Sequence, residues 1–432
     1  MILRFSIQNF LSFNERVEFD MFPNPKRERF LGHINTTQIV PILKQAAIYG
    51  ANGSGKSNFI KAVSFLRDFI VTPNHLLNVD LDEYRFMLTN EVKTDISFEI
   101  EFNIFNKYYV YRTTIGETIF EGLYKSGLGE KGDEPIFERN GNEIKSTYLQ
   151  NAEPTKQLLH KNPKSSLLPL NNQFPIINNS DVQDVYNWFL KMMYVVTIDS
   201  NAVNLIKLMV NNPDLLEFAN EVFRKIGLGI NRLDVEKTPL DEWVIKHKQI
   251  ANTIDQKLNM KQIDTKTGLI GSRNNRDEFI VEQVEGKDVV MEFIFEQLGK
   301  NGIKKNMQIT SQSDGTFRVL TLLPCIYDAM KLGKVIFIDE IENSIHPNLV
   351  YALIKLFSES YSNGQLIYTT HLTKLLNQQE LIRTDEVWLT EKIDGETKMR
   401  SMNDFKIHNT INIENGYLEG RYGAVPLIAA LS

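Results

Sequence analysis

The sequence predicts an α/β fold: a mixed β-sheet flanked by helices, with a lateral antiparallel sheet and an inserted, mainly helical lobe. Three observations predict it. The run Gly50-Ala51-Asn52-Gly53-Ser54-Gly55-Lys56-Ser57 comes after the apolar residues Ala46 to Tyr49 and precedes the helix-like Asn58 to Val63. That is the strand, glycine loop, helix order in which successive backbone N–H groups gather an anion. Val335-Ile336-Phe337-Ile338 is an unbroken apolar run ending at Asp339-Glu340, as expected of a parallel strand covered on both faces. Ile96 to Phe102 and Tyr109 to Thr113 keep a strict two-residue period, which predicts an antiparallel sheet with one wet face.

The bulk composition sets the frame. A chain of 432 residues can bury a full core and suggests two or three lobes. We divide it into 1–145 (N-terminal hairpin, glycine loop, lateral sheet), 146–300 (mainly helical insert) and 301–432 (serine-glycine turn, Asp-Glu strand, His371 strand and C-terminal tail). Hydrophobic content of 42% with 24% charge is that of an ordinary globular protein. A net charge of −6 gives no global field to draw nucleic acid, although a local basic strip such as Lys300, Lys304 and Lys305 is compatible with it. The single cysteine, Cys325, excludes an internal disulfide and reads as a small buried hydrophobe. No apolar run is long enough to span a membrane, and a charge at Arg4 interrupts any signal-peptide core. The expectation is a cytoplasmic protein.

Taken in order, Leu3, Phe5 and Ile7 fall on one strand face, and Val17 and Phe19 repeat the period after a loop around Ser12-Phe13-Asn14, so a hairpin precedes the glycine loop. From about Asn142 the texture turns to Asn, Lys, Ser and Pro, as in Asn162-Pro163-Lys164-Ser165-Ser166, and reads as a connecting or mobile segment. Helical periodicity returns over Val182 to Met193 and Val203 to Lys225, whereas Leu240 to Arg273 is polar and irregular and carries no assignment. Neither a fixed-period repeat nor a sustained heptad is present. The predicted strand Gln365 to Thr370 is separated from the Asp-Glu strand by one helix, Asn348 to Ser360, and ends at His371.

The chemistry gathers at a few of these points. The loop fits G-x-x-x-x-G-K-[ST]: Gly50 through Asn58 would cradle the phosphates of a nucleotide, Lys56 would reach the β and γ oxygens, and the Ser57 hydroxyl would ligate Mg²⁺. Carboxylates at the carboxyl end of a parallel strand stand at the crevice where α/β sheets bind ligands. There Asp339 would hold Mg²⁺ through water and Glu340 would act as general base toward the attacking water. An imidazole at the neighbouring strand tip, His371, could bond the γ-phosphate or that water. Ser313-Asp314-Gly315-Thr316 precedes another helical pattern and offers a second phosphate-seeking helix end. One nucleotide uses only the first well, so the spare end invites a partner subunit.

The order of these parts resembles the ATP-binding-cassette (ABC) type P-loop ATPase heads of the SMC-like and RecF-like proteins. The strings Ser313 to Thr316, Ile338 to Pro347, Gln365 to His371 and Gly416 to Pro426 look like the AAA-type ATP-binding proteins of bacterial abortive-infection systems, the RloA/AbiL kind. This resemblance implies Ser313 and Gly315 as signature residues that contact, in trans, the γ-phosphate held by the opposite subunit, with Asp314 and Thr316 beside them. Asn343, Ser344 and His346 then occupy the loop crossing the interface of a head-to-head homodimer. It implies a slow Mg²⁺-dependent ATPase that switches a separate effector, a nuclease of the TOPRIM type being the expected one. Residues 372–432 hold no acidic triad at usable spacing, since Asp394, Glu396 and Asp404 fall in a hairpin-like stretch. The signature departs from the transporter pattern at Asp314 and Thr316, and no glutamine is assignable as the bridge to Mg²⁺. Two alternatives stand beside this reading: a RecF-like DNA repair ATPase that clamps DNA, and a nucleotide-gated scaffold with negligible hydrolysis.

Overall fold

The computed structural model describes residues 1–89, 95–150, 152–197, 205–246, 269–273, 276–406 and 412–425. They divide into two compact units. The first comprises Met1–Ile198, Asp328–Glu342 and Leu353–Ser432, and the second Asp199–Tyr327 and Asn343–Ala352.

The first unit is built on two sheets. Its central six-stranded sheet runs Met193–Val196, Val335–Ile338, Gln365–Thr369, Gln45–Gly50, Val387–Ile393, Glu396–Ser401. The first five strands are mutually parallel and the last turns back antiparallel. The loop strand Gln45–Gly50 and Val335–Ile338 are buried at every position, which is why Ala46 to Tyr49 and Val335 to Ile338 read as apolar runs. The second sheet is antiparallel and seven-stranded, in the order Glu143–Lys145, Glu134–Asn140, Ile119–Lys125, Lys107–Ile115, Ile96–Ile104, Ile2–Gln8, Val17–Asp20. The N-terminal hairpin and the alternating pair expected from the sequence are therefore parts of one sheet.

The helix Lys56–Val71 joins these layers. Its buried residues include Phe59, Ile60, Val63, Leu66, Phe69 and Ile70, an apolar stripe too wide for a surface helix. Phe59 meets Phe5 and Phe19 of the seven-stranded sheet at 5.8 and 5.1 Å between ring centroids, and Phe337 of the six-stranded sheet at 6.4 Å. Aromatic pairs at such separations hold position as well as burying area. The helix that carries Lys56 and Ser57 is thus fixed from both sides.

Two expectations are corrected in this unit. The helix expected to run to Met193 spans Ser180–Lys191, and Met193–Val196 is instead the edge strand paired in parallel with Val335–Ile338. The Asn/Lys/Ser/Pro stretch is folded: Ala152–Lys161 and Leu167–Gln173 are helices, and Ser165 and Ser166 between them are fully buried. What buries them is an ion pair distant in sequence. Arg139, almost fully buried, donates to the Ser165 carbonyl at 2.5 Å, and Glu121, at 0% exposure, accepts from Ser166 Oγ and the Leu167 N–H, both at 2.7 Å.

The second unit has helices and, in addition, a five-stranded antiparallel sheet. Ile230–Pro239, Lys287–Leu298, Arg276–Val284 and Leu269–Arg273 lie in that order, and Lys304–Gln308 also pairs with Lys287–Leu298. The periodic stretch up to Lys225 breaks into Leu205–Asn211 and Pro213–Lys225, since Asn212 caps the second helix by accepting from Leu215 N–H and Pro213 starts it. Val203 lies outside the described residues. Within the tract left unassigned by sequence, Leu240–Lys246 is helical and Leu269–Arg273 is a strand, and 247–268 lie outside the described residues. Trp243 packs on Phe279 at 4.7 Å and donates its indole N–H to Glu292 at 3.0 Å.

Candidate functional site

Three strand tips of the six-stranded sheet come together at one end: the loop after Gly50, the turn after Ile338 and the turn after Thr369. The glycine loop can take its shape only with glycine at two points. A Cβ on Gly50 would collide with the Thr390 hydroxyl and carbonyl. One on Gly55 would collide with the Thr397 side chain at a backbone φ of +109°. Gly53, at φ +76°, faces open space.

Hydroxyls from the strands Val387–Ile393 and Glu396–Ser401 brace this loop. Ser54 Oγ shares a 2.7 Å hydrogen bond with Thr390 Oγ1, which also donates to the Tyr49 carbonyl at 3.1 Å. Thr397 Oγ1 lies 2.9 Å from the Ser54 carbonyl and 2.7 Å from Ser12 Oγ, and Ser12 in turn accepts from Asn58 Nδ2 at 2.8 Å. Ser54 and Asn58, expected among the nucleotide contacts, therefore spend their side chains on holding the loop. Ala51, Asn52 and Gly53 form its outward tip. The stretch that reads as hairpin-like in the sequence, with its turn at Asp394-Gly395 (φ +49° and +84°), is a hairpin and is the loop's buttress.

Lys56 and Ser57 face the carboxylates. Lys56, 5% exposed, donates to the carbonyls of Gly50 and Ala51 at 2.8 and 3.1 Å. Burial lowers its pKa, while the charges of Glu340, Asp339 and Glu342 oppose that shift. Ser57 Oγ lies 3.2 Å from Asp339 Oδ1. Thr369, which no motif singles out, donates to the same Asp339 oxygen at 2.7 Å and accepts the Glu340 backbone N–H at 2.7 Å. Glu340 sits at φ +46°, a left-handed conformation that side chains other than glycine rarely adopt. Such strain persists where surroundings over-determine it, and the Thr369 hydroxyl is one of those restraints.

His371 comes just after the third tip. Its backbone N–H donates to Glu342 Oε1 at 2.5 Å. Burial lowers the imidazole pKa below its ordinary 6.5, and Lys56 pushes the same way against Glu342, Glu340 and Asp339. Lys56, the three carboxylates and the imidazole thus share one electrostatic field. The chain after His371 is tied down by its own C-terminal segment: Glu414 of the helix Ile413–Leu418 accepts from Thr373 Oγ1 at 2.9 Å and Asn377 Nδ2 at 2.8 Å, and Tyr417 packs on Tyr49 at 5.9 Å. Of the Gly416 to Pro426 string, Pro426 lies outside the described residues.

The donor chemistry fits Mg²⁺. Ser57 Oγ and Asp339 Oδ1 are adjacent hard oxygens, and among the described residues no group of three or more His, Cys, Asp and Glu could hold a metal by itself. That pair suits an ion that keeps several waters and takes its remaining ligands from phosphate.

In the second unit, Ser313 Oγ accepts the Thr316 backbone N–H at 3.1 Å and bonds Thr316 Oγ1 at 3.0 Å, capping the helix Asp314–Leu332. A Cβ on Gly315 would come within 2.9 Å of the Ser344 carbonyl. The Ser313 to Thr316 turn and the Asn343 to His346 loop therefore pack against each other within this unit. His346 Nδ1 accepts from Asn348 N–H at 3.2 Å. Of the candidate basic strip, Lys304 is paired with Glu296 at 3.1 Å. No helix among the described residues is long and apolar enough to cross a membrane.

Comparison with known proteins adds a family. The family model described as "AAA domain, putative AbiEii toxin, Type IV TA system" matches residues 46–377, from the loop strand through the His371 turn. No curated protein matches the chain in sequence. Among solved structures, an SMC head bound to the C-winged helix domain of ScpA is similar at 14% identity and TM-score 0.46, over 93% of this chain and 99% of that one. The SMC head domain from Thermotoga maritima is similar at 11% and 0.43, over 94% and 99%. An SMC head with extended coiled coil, bound to the C-terminal domain of ScpA from Pyrococcus furiosus, stands at 14% and 0.41, over 93% and 97%.

Proposed function

The chain belongs to the AAA-domain family whose model covers residues 46–377, and from that premise we propose that it is a Mg²⁺-dependent ATPase acting as a nucleotide-driven switch on a separate effector protein. One observation carries the reading: Ser57 of the glycine loop, Asp339 and Thr369 are hydrogen-bonded together, with the Glu340 backbone on the same hydroxyl. A phosphate cradle, a cation-binding pair and a carboxylate for water activation thereby occupy one strand-tip crevice.

In this mechanism the backbone N–H groups from Gly50 to Ser57 and the start of the helix Lys56–Val71 receive the phosphates. Lys56 exchanges its loop carbonyls for the β and γ oxygens. Mg²⁺ would be held by Ser57 and, through water, by Asp339, and would supply neutralisation of phosphate charge. Glu340 takes a proton from the attacking water, and His371 orients that water or the γ-phosphate. ATP can drive a switch only by binding one state more tightly than the other. We assign that difference to a head-to-head homodimer in which Ser313 and Gly315 of one copy complete the site of the other. A turnover that waits on a second subunit is slow.

We place the effector in a separate protein, as the resemblance implies; among the described residues after His371, the Thr390 and Thr397 hairpin and the Glu414 helix brace the site. The family's name refers to a toxin and a toxin–antitoxin system, which supports an abortive-infection role against phage; a nuclease as effector rests on the motif resemblance alone. Three variants test the scheme. Lys56→Ala is expected to lose ATP binding, and Glu340→Gln to bind ATP and accumulate a dimer. Ser313→Arg is expected to bind ATP as a monomer without hydrolysing it. Hydrolysis at the wild-type rate by Ser313→Arg removes the dimer from the mechanism.

A further inference from the structure

We propose that Glu342 is a positioning residue of this site: its carboxylate clamps the backbone of the His371 turn and so fixes where the imidazole stands relative to Lys56 and Glu340. The inference rests on the ATPase reading for the reaction it serves, and on geometry of its own.

The parallel ladder between Val335–Ile338 and Gln365–Thr369 ends at the pair Ile338 and Tyr368. Beyond it the two segments stay laced by four further bonds: Thr369 Oγ1 to Asp339 Oδ1 at 2.7 Å, Glu340 N–H to Thr369 Oγ1 at 2.7 Å, Ile341 N–H to the Thr369 carbonyl at 3.1 Å, and His371 N–H to Glu342 Oε1 at 2.5 Å. Two of the four have a carboxylate acceptor, Asp339 and Glu342, and only the Glu342 bond takes its donor from the His371 turn. A charge-assisted bond of this length is short and directional, and it makes the Asp339 to Glu342 turn and the His371 turn a single body.

The other carboxylate oxygen argues against a merely structural cap. Among the described residues, Glu342 Oε2 is buried without a hydrogen-bond partner, and so is the Tyr368 hydroxyl, whose pKa burial raises, with the charges of Glu386 and then Glu342 adding to the shift. A backbone N–H at a turn could be satisfied by a neutral acceptor or by water at far lower desolvation cost. A carboxylate kept here instead acts electrostatically on both Lys56 and His371, supporting the protonated form of each.

Reach and charge are separable by substitution in the full-length protein. Glu342→Gln keeps an acceptor at the same distance and removes the charge. Glu342→Asp keeps the charge and withdraws the acceptor by one methylene, and Glu342→Ala removes both. A clamp predicts ATP affinity within about twofold of wild type in all three, kcat within about threefold in Gln, and kcat about tenfold to a hundredfold lower in Asp and Ala, the range that a small misplacement costs. The His371 imidazole resonances of the nucleotide-free protein should shift and broaden in Asp and Ala, and should move much less and stay sharp in Gln, which loses only the charge. An Asp variant faster than Gln, or an Ala variant with wild-type kcat and unmoved His371 resonances, overturns the clamp. If wild-type protein releases no phosphate at all, the ATPase reading fails, and the resonances still decide whether Glu342 holds the turn.

Discussion

Thr369→Val is the most informative perturbation of the catalytic turn, because one hydroxyl serves two of its groups. Thr369 Oγ1 donates to Asp339 and accepts from the Glu340 N–H, both at 2.7 Å, in a position with no solvent exposure. Valine preserves the β-branched shape, so the strand Gln365–Thr369 is expected to keep its place. The Glu340 N–H would then be buried without an acceptor, at a cost of about 2 kcal/mol. It would also belong to a residue already at φ +46°. Relaxation of Glu340 toward an ordinary backbone conformation removes that cost and carries the carboxylate away from its working position. If the whole amount is lost from transition-state alignment, kcat falls about thirtyfold. ATP affinity, which the proposed mechanism assigns to the glycine loop and Lys56, should change less than about threefold, within about 0.6 kcal/mol. The assay pairs equilibrium binding of a fluorescent ATP analogue with single-turnover phosphate release. A Thr369→Val protein that hydrolyses at the wild-type rate refutes the idea that this hydroxyl sets Glu340. One that loses binding as much as turnover shows that it holds the loop instead.

Further consequences come from the same geometry. Gly50→Ala should abolish ATP binding because its Cβ meets the Thr390 hydroxyl and carbonyl, whereas Gly53→Ala, with open space around it, should cost only the about 1–2 kcal/mol of a left-handed backbone, read as a modest affinity loss in the same titration. The His371 imidazole is expected to titrate below 6.5 by NMR, and Lys56→Met should raise that pKa by removing the neighbouring positive charge. Because the folded state resists this protonation, the stability penalty from His371 is absent at neutral pH and grows as pH falls from 6.5 toward the lowered value. Arg139→Ala, which strands the fully buried Glu121, should destabilise the first unit by about 3–5 kcal/mol in chemical denaturation.

The parts legible in the sequence are those contiguous in it. The glycine loop is legible because its backbone shape demands particular residues at fixed spacing, and Val335 to Ile338 because a strand buried on both faces favours an unbroken apolar run, here ended by Asp339-Glu340. The edge strand Met193–Val196 is not, since four apolar residues after an amphipathic helix carry no period of their own. The stretch around Ser165 and Ser166 reads as a linker because serine is usually solvated. Its burial is decided by Glu121 and Arg139, which only the seven-stranded sheet brings there.

The same distinction separates the loop's chemistry from its support. Ser12, Thr369, Thr390 and Thr397 are four hydroxyls without a motif, drawn from the N-terminal turn and from three strands of the six-stranded sheet, and together they bond the glycine loop and the catalytic turn. A threonine in a strand is expected for its β-branching alone, so its sequence gives no hint that its hydroxyl is needed. The support is needed nonetheless. Glycine loses more conformational entropy on ordering than any other residue, the loop holds three within its eight residues, and Gly55 at φ +109° has no cap of its own from a side chain. The braces supply from outside rigidity that the glycines do not supply themselves, and in the proposed mechanism the sheet holds the loop ready to receive phosphate. Removing one brace should therefore weaken ATP binding without touching any atom that meets the nucleotide: Thr397→Val, which takes the hydroxyl from between Ser12 and the Ser54 carbonyl, is expected to raise Kd about tenfold, about 1.4 kcal/mol. An unchanged Kd in that variant would mean that the glycine loop orders on its own.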